Sequence, residues 1–277
     1  MRSSSYRLAR CLMMAVLFVP TLHTTVRADY QVVDVSDGGT IKGVVIWKGE
    51  VPMIPPLVVK ADMDTCGETV PSPVLKVDPK SKGVPSTLIY LEQVEKGKAP
   101  ADKYWLHMGK DASGKEPGSE ICQFKEHIFA FVRTQPAAII NFDPILHNPH
   151  FFNDKKGTVF NIAMPTPNRE VAHTLLRGQG VGLPYQCDVH VHMNGYTGGF
   201  DHPYFAVTDA EGKFEMAGVP PGTYTLIAWH EGYKIDKLVS SRPVYDDPHI
   251  IQKKVDVKSK DTVEAHFEFP VRPVTMN

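Results

Sequence analysis

The chain has 277 residues, 42% of them hydrophobic and 22% charged, with a formal net charge of −1. That length accommodates two or three domains of ordinary size. The charges are scattered and no basic stripe forms, which argues against a nucleic-acid face and gives only weak reason to expect a basic protein partner.

Arg2, Arg7 and Arg10 precede an apolar run from Cys11 to Pro20, and Val26-Arg27-Ala28 closes on a small residue. The run is too short to span a bilayer, so residues 1–28 read as a signal peptide cleaved after Ala28, with a periplasmic or secreted mature chain. No later stretch is long and apolar enough to span. Removal of this segment takes away four arginines and no acids, which leaves 26 basic against 31 acidic side chains, a balance of −5. Cys11 leaves as well, and Cys66, Cys122 and Cys187 remain. In an oxidising compartment an odd count leaves one thiol over. Cys66 and Cys122 both lie among turn residues and are expected to pair, two unpaired thiols being the alternative. Cys187 is then the remainder, and a metal that holds it as thiolate explains its survival.

In chain order, Gly39 to Gly49 alternates β-branched with small or polar residues and predicts a strand. Val51 to Pro56 is a connection or sheet edge, since proline cannot donate to a ladder. Val84 to Leu91 predicts a second strand, and Glu92 to Lys103 and Lys110 to Glu120 predict loops. Phe124 to Val132 and Ala138 to Phe142 predict two strands joined at Gln135-Pro136. Further strands are expected over 157–164 and 171–176. Past Gly198, Asp209-Ala210-Glu211-Gly212 is a hairpin signal, and Pro220-Pro221-Gly222 turns into a strand with Tyr224, Leu226 and Ala228 on one face. Lys253 to Val257 and Val263 to Phe269 close the chain as strands.

Chemistry concentrates in Cys187-Asp188-Val189-His190-Val191-His192-Met193 and in His147-Asn148, which follows an apolar strand and an Asp143-Pro144 turn. A thiolate, two imidazoles and a thioether are the donors of a type 1 copper site, with a weak axial Met. A tight loop after a strand turns a Cys, the His three residues on and the Met three beyond that toward one ion. The expected ligands are therefore His147, Cys187, His190 and Met193, with His192 a competitor for the axial place. His127 and His150 read as ordinary neighbours, and Trp229-His230-Glu231 as a structural strand end.

Cys-x2-His-x2-Met after an Asn-x-Asp segment ending in His147-Asn148 resembles the cupredoxin family, its amicyanin and plastocyanin-like members most. The likeness covers roughly residues 121 to 200. It implies a Greek-key β-sandwich, one copper ion, single-electron transfer and a redox protein partner such as a cytochrome or a periplasmic oxidoreductase. It also implies that Asn148 ties the two ligand loops together, and that an exposed edge of His190, or of His192, is the exit for the electron. The loop departs from the family in carrying Val191-His192 before the Met and Asp188 after the Cys; an ionised Asp188 close to the thiolate favours the oxidised ion. Residues 205 to 233, with Thr208-Asp209, Gly212-Lys213-Phe214 and Pro220-Pro221-Gly222-Thr223-Tyr224, resemble the carboxypeptidase regulatory-like (transthyretin-like) β-sandwich.

The expectation is thus an all-β chain, a cupredoxin-like sandwich plus a regulatory-like one: residues 29–105 as an N-terminal β region, 106–200 as the copper domain and 201–277 as the second sandwich. The strand at Gly39 to Gly49 looks like the first of that second sandwich, which makes the copper domain an insertion. Two other readings stand beside electron transfer. One is a metal-dependent enzyme with an open coordination position, for which no general base sits at motif spacing. The other is a non-catalytic scaffold or copper-storage protein.

Overall fold

The computed structural model describes residues 29–270, so the expected signal peptide lies outside the described residues. The described chain is almost entirely β, built as sandwiches, with one helical turn at Met63–Cys66. No helix among the described residues is long and apolar enough to cross a membrane.

One pair of sheets is assembled from strands far apart in sequence. A four-stranded sheet runs in the order Phe205–Val207, Leu88–Leu91, Gly222–His230, His249–Val257, and a three-stranded sheet in the order Lys213–Val219, Gly39–Trp47, Thr262–Phe269. Gly39–Trp47 lies between an antiparallel and a parallel neighbour. Its period of two puts Ile41, Val45 and Trp47 inward against Phe214, Phe267 and Leu226. Such alternation is what a sheet with one wet face requires.

The residues between Leu91 and Phe205 build the other pair of sheets. Five strands run in the order Thr158–Asn161, Pro149–Phe152, Gly180–Cys187, Asn194–Phe200, Ile128–Val132. Three face them in the order Glu170–Thr174, Pro136–Asn141, Tyr104–Met108. Leu106, Phe129, Phe131, Ile139, Phe151 and Tyr185 fill the space between. The strand Tyr104–Met108 was not expected and straddles the boundary placed at residue 106. One connection also differs from expectation. The turn at Asp209 is real, closed by Gly212 N–H on the Asp209 carbonyl, but the strands on either side of it join opposite sheets instead of pairing as a hairpin. Ile128–Val132 and Pro136–Asn141 are the two strands expected there, joined by a tight turn and lying in the two facing sheets.

Gly222–His230 joins the two sandwiches. Leu226 and Ala228 face their own core, while Trp229 on the other side packs on Leu88, Ile128 and Phe200. Gly182 crosses Trp229 so closely that an added Cβ would lie 2.9 Å from the indole, and its φ of +73° also favours glycine. Beside this apolar seam His127, next to Ile128–Val132, meets Glu231, next to Gly222–His230, in a short buried contact. His127 is therefore more than an ordinary neighbour: with its other ring nitrogen on the Asn194 carbonyl, it ties one sandwich to the other. Burial holds Glu231 above the ordinary carboxylate range, against the pull of His127.

His230, on the Leu226 and Ala228 face with its ring against Phe269, gives the fold a pH dependence. Burial lowers its pKa from 6.5 to about 4, helped by His249 and His127 and opposed by the Glu231 carbonyl that its Nδ1–H reaches. The unfolded chain therefore takes up this proton first as pH falls. The stabilisation is complete above about 6.5 and is lost toward about 4. Urea midpoints measured between those values should fall steadily with acid, and His230→Gln should flatten the slope.

Candidate metal centre

The site forms where two loops meet at one end of the sandwich made by the five- and three-stranded sheets. Gly180–Cys187 ends on Cys187, and the turn to Asn194–Phe200 is closed by Cys187 N–H on the Met193 carbonyl (3.0 Å) and Met193 N–H on the His190 carbonyl (2.9 Å). The upstream loop is organised by Asn141. Its amide donates to the carbonyls of Ile145 (2.8 Å) and Met164 (2.9 Å), and its oxygen accepts from Asp143 N–H. His147 is held there by a two-way backbone bridge to Met164.

These loops converge on three atoms. His147 Nδ1 and His190 Nδ1 are 3.1 Å apart, and Cys187 Sγ lies 3.8 Å from the first and 3.7 Å from the second. All three residues are completely buried, and their donor atoms form a group able to hold a metal ion. Ion–nitrogen bonds of about 2.0 Å and an ion–sulfur bond of about 2.3 Å at trigonal angles call for roughly 3.5 Å between nitrogens and 3.7 Å from sulfur to nitrogen. The observed sulfur–nitrogen edges match that size, and the two nitrogens stand closer together, at 3.1 Å. Histidine and cysteine in this proportion suit copper, and zinc less specifically.

The surroundings fix the protonation state. His147 Nε2 lies 2.9 Å from Asp143 Oδ2 and His190 Nε2 lies 3.0 Å from Asp62 Oδ2. With each Nε2 held by a carboxylate, Nδ1 of both rings is the nitrogen that faces the sulfur. Burial alone would push the Cys187 thiol up. The two imidazoles and the N–H groups of Asn148 (3.3 Å) and His190 (3.4 Å) outweigh it and bring the thiol from 9.0 down to about 5. The thiolate therefore dominates at neutral pH. Burial opposes charge on His147 also, yet Asp143 and Cys187 raise its pKa. Asp143, opposed by burial, is held below the usual carboxylate range by His147 and by the N–H groups of Lys110 and Cys122.

The remaining predicted residues fall around this triangle. Met193 is buried in the same core cluster as Cys187. The His192 ring packs edge-on against His190 at 5.7 Å, but its Nε2 lies 3.0 Å from the Cys122 carbonyl and burial lowers its pKa to about 4. Asn148 links the loops through its backbone, donating to Cys187 Sγ and accepting from Asp188 N–H, while its buried side-chain oxygen has no partner. The Asp188 carboxylate is engaged by Gln186, His150 and Asn161, which gives His150 a role as well. Cys66 and Cys122 form a disulfide.

The expected exit edge is not there: His190 is 0% and His192 3% exposed. The segment carrying Asp62 and Cys66 packs over this end, with Leu57, Val59 and Val70 against Cys122, Ile121 and Ile145. Three partners of the site had not been foreseen. Asp62 and Asp143 hold the far nitrogens of the histidines, and Arg242, from the strand Arg242–Tyr245, donates to the carbonyls of Cys187, Val191 and Met193.

A family profile described as polysaccharide lyase family 4, domain II, matches residues 181–265. This stretch runs from the strand that ends on Cys187 into the other sandwich. No curated protein matches the chain. Among solved structures, a novel purple cupredoxin from Nitrosopumilus maritimus is 13% identical with a TM-score of 0.27, over 35% of this chain and 99% of that one. The Bacillus anthracis TIE protein is 8% identical with a TM-score of 0.16, over 84% of this chain and 50% of that one. Both likenesses are remote, and the site is defined by its own donor distances.

Gly109 tests the support behind His147. With φ at +80°, a Cβ there would lie 2.2 Å from the Asp143 carboxyl carbon. Gly109→Ala should cost on the order of 1–3 kcal/mol in a denaturant titration and weaken metal uptake, because Asp143 must move to make room.

Proposed function

We propose that this is an exported cupredoxin-like protein that holds one copper ion and passes single electrons to a protein redox partner. The residues that would hold it are His147 through Nδ1, Cys187 through Sγ and His190 through Nδ1, with Met193 as a weaker fourth donor. The observation that carries the reading is the buried Nδ1, Nδ1, Sγ triangle of 3.1, 3.7 and 3.8 Å. When bound, copper supplies a one-electron couple. The chain's own part is to keep three donors in place in either oxidation state. Asp143 and Asp62 fix the ring tautomers, the N–H groups of Asn148 and His190 direct the sulfur, and Arg242 holds the turn by its carbonyls. The disulfide is compatible with an extracytoplasmic location.

The enzyme reading finds less support, since complete burial of all three donors leaves no exposed position for a substrate. Storage remains the second reading, favoured by the same burial. Residues 29–277 reconstituted with cupric ion should bind one equivalent and show an intense visible band from thiolate-to-copper charge transfer, and Cys187→Ser should lose it. Colourless zinc uptake or the lack of stoichiometric metal would overturn the proposal. A coloured centre that exchanges no electrons with any reductant on the seconds timescale would leave storage as the function.

A further inference from the structure

Asp62 belongs to neither sheet of the metal-holding sandwich. It sits in a small loop between Leu57–Val58 and Thr69–Val70, two short strands that pair with each other. Its backbone has φ of 53° and its carbonyl accepts from Thr65 N–H and Cys66 N–H, both at 2.9 Å, which starts the turn Met63–Cys66. An aspartate here ordinarily caps its own turn. This one does not: its side chain makes no capping bond and reaches His190 Nε2 instead.

The turn it starts is stapled to the site. Cys66 is bonded to Cys122, whose N–H donates to the Asp143 carboxylate (2.8 Å) and whose carbonyl accepts from His192 Nε2 (3.0 Å). The disulfide thus joins the loop bearing Asp62 to a residue already bonded to the support of His147 and to the turn bearing His190. The Asp62 side chain is 42% exposed while the His190 side chain is 0% exposed, so the carboxylate stands between the imidazole and solvent.

We propose that the segment 57–70 is a disulfide-held cap on the metal centre and that Asp62 is its positioning residue, locking the His190 ring, closing its solvent side and setting the charge that the ion must balance. The inference rests on the copper reading above. The Cys187 thiolate, Asp143 and Asp62 supply negative charge around the triangle, with Asp188 beside the turn adding to it and Arg242 opposing it. A dication offsets more of that charge than a monocation does. At low effective dielectric that difference favours cupric over cuprous ion. A carboxylate on the far nitrogen would also make the imidazole a stronger donor, and it resists rotation of the ring.

The test uses copper-loaded residues 29–277 and three substitutions at Asp62, with two readouts: the rate of copper removal by excess EDTA, followed by loss of the visible band, and the reduction potential. Asp62→Ala removes the lock and the charge, and should speed extraction about 10-fold or more while raising the potential. Asp62→Asn keeps an acceptor of the same shape, and should raise the potential with a smaller effect on extraction. Asp62→Glu should restore the potential toward that of the parent. The Cys66→Ser, Cys122→Ser double variant should speed extraction as Asp62→Ala does, and its effect should not add to that of Asp62→Ala. A coloured, stoichiometric copper centre whose extraction rate and potential are the same in the parent, Asp62→Ala and Asp62→Asn would overturn the cap and leave the copper reading standing. A parent chain that binds no stoichiometric copper would overturn both.

Discussion

Two imidazole nitrogens and a thiolate sulfur lie within 3.1–3.8 Å of one another inside a fully buried site. Three lone-pair donors pointing at one spot repel each other, and a buried thiolate has given up its hydration. The fold must hold them there against both effects. Nearly every polar contact around the triangle acts to do so: the carboxylates hold the histidines by Nε2, and backbone N–H groups donate to the sulfur. A cation at the centre turns the repulsion into attraction.

Cys122 is where these supports meet. Its sulfur is covalently tied to Cys66, its N–H bonds Asp143 and its carbonyl bonds His192. Its backbone has φ of 54°, a conformation that costs a non-glycine residue free energy and persists where the surroundings impose it. One residue therefore couples the loop of His147, the turn of His190 and the segment that covers them. A shift in any of the three is transmitted to the others through bonds of under about 3 Å, so the donors respond to disturbance together.

What the sequence disclosed follows from the range over which each interaction acts. Cys187 and His190 share one turn, and His147 follows an apolar strand; short spacing and strand periodicity were enough to single out these three, which the structure brings together. The period of two in Gly39–Trp47 and Thr262–Phe269 was readable for the same reason. The partners of the ligands were not. Asp62 reaches His190 across 128 positions and Arg242 reaches Cys187 across 55, and neither leaves a local pattern. Asp143 lay in plain view four residues before His147, but Asp-Pro is explained well enough as a turn, and nothing local shows that its carboxylate looks inward. Local turn chemistry also misled at Asp209, where the turn is correctly marked but the strands leave it for different sheets. Which sheet a strand joins depends on partners far along the chain.

The second sandwich can be understood through the same centre. The Cys187 turn is held on one side by the capped loop and on the other by Arg242, whose strand lies outside the metal-holding sandwich. The guanidinium spans the carbonyls of Cys187, Val191 and Met193, a planar fork meeting the ends of a turn that would otherwise face solvent. Burial works to lower the Arg242 pKa, and the charges of Cys187 and Asp188 work to raise it. At the far seam Trp229, Gly182 and the His127–Glu231 contact keep the two bodies in register. A turn gripped from two directions has little freedom to move. The extra mass around this small donor set thus serves rigidity, and it covers the edges of both His190 and His192.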